Sequence, residues 1–238
     1  MKKLCFWMAM TVLIFANISC EKIVGEGPVI TEERNTAPFE GLSVSVPSEA
    51  HFTRSDDYSI TLQAQRNILD EIETTVSGGI LKIRFRHPNA RIRSHEKIII
   101  HVTGPVARLL ELSGSGTLDV DGPIDPAELE INSSGSGSIH VDEVLANKIR
   151  VVLSGSGRIT VEDGKANEKD VTISGSGFVD LSEVQAKDVS TRISGSGNVE
   201  VHATHTLKVR ISGSGTVFYK GNPAIDSQIS GSGSVVKM

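Results

Sequence analysis

Val151-Val152-Leu153-Ser154-Gly155-Ser156-Gly157-Arg158-Ile159-Thr160-Val161 decides the fold. Apolar residues stand at 151, 153, 159 and 161, all of one parity, around a Ser-Gly-Ser-Gly centre. Alternation with period two and many β-branched residues is strand, not helix. The stretch therefore reads as two short strands meeting at a glycine-rich corner. The same motif starts at Ser113, Ser134, Ser154, Ser174, Ser194, Ser212 and Ser230, at intervals of 21, 20, 20, 20, 18 and 18. So regular a period marks a solenoid or array.

The flanks repeat with the motif. Leu112, Ser133, Leu153, Ile173, Ile193, Ile211 and Ile229 precede it, and Leu118, Ile139, Ile159, Val179, Val199, Val217 and Val235 follow two places after it. Positions between them are mostly polar, such as Glu111, Arg192, Arg210, Asp119 and Glu200. Twenty residues hold two strands and two corners, which is one coil. The fold expected is all-β, a parallel β-helix or β-solenoid, with coils stacked about 4.8 Å apart and a rod of roughly 29 Å. Asp121-Gly122-Pro123 and Glu162-Asp163-Gly164 read as the returning turns. On the shared parity both glycines of each motif point inward: Gly114 and Gly116, Gly135 and Gly137, Gly155 and Gly157, Gly175 and Gly177, Gly195 and Gly197, Gly213 and Gly215, Gly231 and Gly233. A side chain there would crowd the bend. The serines point outward. A flexible linker would not carry in-phase apolar flanks, and a phosphate-cradling loop would need a following helix and Lys.

Before the repeat, residues 42–46, 58–62, 80–85 and 97–102 read as strands, while 66–73 fits a helical turn or a strand. Residues 21–37 are polar without clear periodicity. The region 38–105 is expected to cap the first coil of the solenoid, residues 106–238, against edge pairing. No such cap is expected at the other end, where Met238 follows the last motif by five residues.

The first residues form an address. Lys2 and Lys3 are followed by an uncharged, mainly apolar run from Leu4 to Ile18, then Ser19-Cys20. This is the layout of a signal peptide over 1–19, with an apolar run short for a membrane span. Ser19-Cys20 resembles the lipobox of bacterial lipoproteins, although Asn17 departs from the usual aliphatic residue. The resemblance implies a lipid on Cys20 and a lipidated tether over 20–37; a cleaved signal with an incidental Cys20 is the alternative. Cleavage before Cys20 removes Lys2, Lys3 and Cys5, moving the formal charge from −5 to −7 and leaving a single thiol. A disulfide framework or a zinc–thiolate site is then excluded.

From Phe39-Glu40-Gly41-Leu42 onward, through Val44-Ser45-Val46, Leu81-Lys82-Ile83 and the serial Ser-Gly-Ser-Gly coils, the chain resembles the putative auto-transporter adhesin, head GIN domain family, common among exported Bacteroidetes proteins. The resemblance implies an all-β stack, an adhesin-like role and no catalytic residues to carry over.

Composition and motifs point the same way. A net charge of −5 disfavours nucleic acid, and 4% aromatics disfavours a stacking platform. The seven His form no His-Glu-x-x-His pattern, and His202 and His205 do not share a strand face. Asp121, Asp142 and Glu162 recur in successive coils and form an acidic edge, solvated or bridged by a cation. No catalytic set, metal-ligand set or cofactor motif emerges. The function expected is a non-catalytic, lipid-anchored binding or structural module at the outer membrane, on its periplasmic or surface face. Its partner would be a glycan or protein, with self-association through the last coil as a further option. The alternative is a carbohydrate-active lyase or hydrolase on the same scaffold.

Overall fold

The computed structural model describes residues 22–87, 91–93 and 95–238. Signal peptide and Cys20 lie outside them. The repeat folds as the period dictates, into stacked parallel coils. Strand Glu128–Gly135 pairs in parallel with Lys148–Gly155, and that strand with Arg158–Gly175, always motif on motif: Ser134 on Ser154, Ser154 on Ser174. The strands that follow each corner stack likewise, with Ser138 on Arg158 and Arg158 on Phe178. Register is fixed because one residue of slip would turn every core side chain into water. The resulting ladders run unbroken: Leu118, Ile139, Ile159, Val179, Val199 and Val217 are all essentially inaccessible. Fully burying such a side chain stabilises by about 1.5–3 kcal/mol, and this repeated burial holds together coils that contain no cysteine.

The region before residue 106 does more than cover an end. Gly41–Val44 and Glu49–Arg54 form a coil that pairs directly with the first motif coil, Leu109–Gly114 and Thr117–Ile124. A further parallel layer, Ile80–Phe85 and Ile99–Gly104, lies on the far side of it. The chain thus builds the second layer first, leaves it, builds the terminal layer and returns over both at Leu109. The end is closed by antiparallel strands that lie in sequence between the two layers: Ile72–Ser77 on Ile80–Phe85, and Ser59–Gln65 on Ile99–Gly104. These occupy edges that would otherwise pair with other chains.

The structure adds to two readings of the sequence. Within 20–37, expected as a tether, Lys22–Val24 pairs with Arg91–Arg93 and Val29–Arg34 pairs antiparallel with Ser59–Gln65. Arg34 fastens that strand by donating to the carbonyls of Leu69 and Ile72 at 2.8 and 2.6 Å. Residues 66–73 are both options at once, a helical turn Arg66–Leu69 followed by the strand from Ile72. Phe39 is buried at the base, edge-on to Tyr58 with ring centroids 5.1 Å apart. At the opposite end, Ala224–Gly231 is exposed along its whole length.

Candidate functional site

Each corner is built by two glycines with different tasks. The sequence reading turns both inward; in the structure the two face differently. Gly157 and Gly177 are buried, and a Cβ on Gly177 would sit 2.5 Å from Leu153 Cδ2, inside the apolar ladder. The first glycine faces along the stack. Gly175 has φ +126°, and a Cβ there would lie 2.4 Å from the carbonyl oxygen of Gly155. That same carbonyl accepts the N–H of Ser176 at 2.9 Å. The corner backbone can follow the coil beneath it only where neither side chain nor ordinary φ intervenes. The serines project outward, and among the described residues no motif serine hydroxyl bonds within the chain.

Two exposed faces flank the corner. On the face after it, one outward column runs His101, His51, Asp119, His140, Thr160, Asp180, Glu200. His51 stacks on His101 at 5.2 Å and lies 3.9 Å from both Asp119 and Asp121. His140 reaches Asp142 at 3.4 Å and Glu162 at 3.6 Å. The acidic edge Asp121, Asp142, Glu162 is therefore interleaved with imidazoles, which the sequence reading missed because it followed the carboxylate column alone. Asp142 also accepts the N–H of Gly122 at 2.8 Å. Among the described residues no group of three His, Cys, Asp or Glu side chains could hold a metal ion. His202 and His205 take different surroundings: burial pushes His202 below its usual pKa, while His205 stands exposed 3.1 Å from Asp188.

On the face before the corner, Thr172, Arg192, Arg210 and Gln228 stack in register beside Ser174, Ser194, Ser212 and Ser230. They enclose an open groove of about 600 Å³. A larger groove of about 780 Å³ lies between residues 106–109 and 126–130, but there Arg108 is paired with Glu40 and Lys148 with Glu168 and Asp170.

One buried cation breaks the apolar ladders. Lys169 occupies the inward column Leu129, Ile149, Lys169, Val189, Leu207, and is 1% exposed. Its Nζ donates to the carbonyls of Leu181 and Val184. Those carbonyls turn inward where the coil shortens, at the register shift between Leu181 and Gln185. Desolvation pushes its pKa down to about 7, opposed by Asp180. Extending the inward parity back from Ile173 through Val171 reaches Lys169, so the signal was present in the sequence.

The sequence profile described as putative auto-transporter adhesin, head GIN domain, matches residues 38–223. The chain belongs to that family. The match spans the terminal layers, the returning chain and every motif coil but the last, so what the head GIN family shares here is the stack up to residue 223. Solved structures agree in fold. A putative lipid binding protein from Parabacteroides distasonis is 26% identical, with a TM-score of 0.78 over 92% of this chain and 100% of that one. A putative adhesin from Bacteroides fragilis is 21% identical, with a TM-score of 0.85 over 91% and 100%. A putative adhesin from Parabacteroides merdae is 22% identical, with a TM-score of 0.74 over 91% and 99%. No curated protein matches the chain. Among the described residues no helix of this head GIN protein is long and apolar enough to cross a membrane.

Proposed function

We propose that the chain is a non-catalytic binding module of the cell envelope, exported and held at the outer membrane by lipid on Cys20. The observation that carries this reading is the stack of in-register polar columns, Thr172-Arg192-Arg210 beside Ser174-Ser194-Ser212, presented on a rigid ladder core. Identical spacing in successive coils suits a ligand that is itself extended and repetitive, because weak contacts then add through effective concentration. Membership of an adhesin family supports the same reading, and the lipobox-like Ser19-Cys20 supports an anchor at a membrane. A glycan and matrix-protein array probed with the full-length chain in neutral detergent tests it. Retention of a component without release of shortened products is the expected result. Release of sugar products would establish the carbohydrate-active alternative.

A further inference from the structure

Arg192 and Arg210 sit in register on adjacent coils, about 4.8 Å apart along the stack. Both are exposed, and Lys208 lies two residues from Arg210 on the same strand face. Among the described residues none of the three forms an ion pair; Arg150 and Arg158 form none either, but Arg150 is stacked between Glu130 and Asp170 and Arg158 between Ser138 and Phe178, not on another arginine. Asp226 is in register with Lys208, not with the arginines. Two guanidinium groups held side by side repel one another, and an anion placed between them relieves that repulsion while taking up their forked donors.

The lining narrows the ligand further. Beside the arginines run the hydroxyls of Ser174, Ser194, Ser212 and Ser230, with Thr172 and Gln228 closing the row. Of the isoleucines along the groove, Ile173, Ile193 and Ile211 point into the core and are at most 3% exposed, while Ile229 of the last coil is 42% exposed. Along the coils the groove therefore offers charge and hydroxyl groups, with a single exposed isoleucine, Ile229, at its end and no enclosed apolar cavity for an acyl chain. It is open and crosses several coils, which suits a chain molecule rather than a single small anion.

We propose, building on the binding-module reading, that this groove binds a linear polysaccharide carrying carboxylate or sulfate groups. Arg192 and Arg210 take the anionic groups, and the serine column meets sugar hydroxyls along the same strand.

The test measures binding of the full-length chain in neutral detergent to polygalacturonate, dextran sulfate, neutral dextran, poly-glutamate and phosphatidylcholine vesicles containing phosphatidylglycerol. Binding to the two anionic polysaccharides, weakening as salt rises, is expected. Arg192→Gln with Arg210→Gln should weaken it at least tenfold at an unchanged melting temperature. Arg66→Gln with Lys97→Gln removes the same charge from the cap and should leave binding intact. Equal affinity of the Arg192/Arg210 variant overturns the proposal, as does equal or tighter binding of neutral dextran, poly-glutamate or the vesicles. If an array component binds while neither anionic polysaccharide does, the groove assignment fails and the binding-module reading stands. No retention anywhere overturns both.

Discussion

Gly175 lies directly above Gly155, both at positive φ (+126° and +119°), and a Cβ on the upper glycine would fall 2.4 Å from the lower carbonyl oxygen. The corner is thus set by contact between backbones, coil on coil. Gly175→Val should destabilise by about 2 kcal/mol or more, through strain and displaced backbone. Gly177→Val should do the same by overpacking against Leu153, where the added Cβ would come to 2.5 Å. Ser176→Ala, on the outer surface, should cost under about 1 kcal/mol. Denaturant melts of the three variants check this; equal shifts for the valine and alanine variants would refute the division of labour.

Lys169 gives the fold a specific pH dependence. Its pKa is about 7 when folded and near 10.4 when unfolded. Between these values the unfolded chain binds the extra proton, so stability rises with pH across that window. Below about 7 both states are protonated and the full desolvation penalty is felt. At about 1.4 kcal/mol per unit the effect amounts to several kcal/mol. The neutral amine can still donate to the carbonyls of Leu181 and Val184, so the contact itself survives at high pH. Asp180 and His202 face the same charge and remain in the comparison. Lys169→Met should flatten the stability profile between pH 7 and 10. A slope as steep as in the parent chain would show that Lys169 is not the source.

Ser133 stands where other coils place Leu or Ile, beneath Leu153 and above Leu112. It is 3% exposed and its hydroxyl has no partner. A buried unpaired hydroxyl costs roughly 1–3 kcal/mol. Ser133→Ala removes the group with almost no change of volume, so the variant should be more stable by about 1 kcal/mol. A lower melting temperature would contradict this.

Cys20 should carry lipid. Cys20→Ala should release the protein from the membrane fraction and alter its mass. Unchanged mass and membrane association would rule the anchor out.

Much of this was legible before any coordinates. The parity of Leu153, Ile159 and Val161 around one motif, repeated with a near-constant period, specifies ladder, coil and core together. Legibility failed where contacts are non-local or cross the period. Nothing near Gly41–Val44 announces that its layer is enclosed by two others, because the strands covering it lie tens of residues onward. Val29–Arg34 alternates only weakly because it is an outer strand with one half-buried face. Glu49–Arg54 is hard to read as a strand because charge at both ends masks Ala50 and Phe52, which are fully buried. The arginine groove was hidden for another reason: Arg192 and Arg210 are ordinary outward residues until stacking brings them together and the absence of paired carboxylates becomes visible.

The most direct test removes coils from the middle of the stack, leaving both ends in place. Ser154 and Ser174 are in register, as are Ser134 and Ser154, so excising residues 154–173, or 134–173, rejoins a strand to an equivalent corner. Both shortened chains retain Arg192 and Arg210. Affinity should be measured for the natural and shortened chains against the array component that the natural chain retains. If an extended ligand is held by successive coils, both shortened proteins fold and binding weakens in steps with each coil removed. Abrupt loss in a folded protein on removing residues 154–173 would contradict the account, as would affinity that does not change across the series.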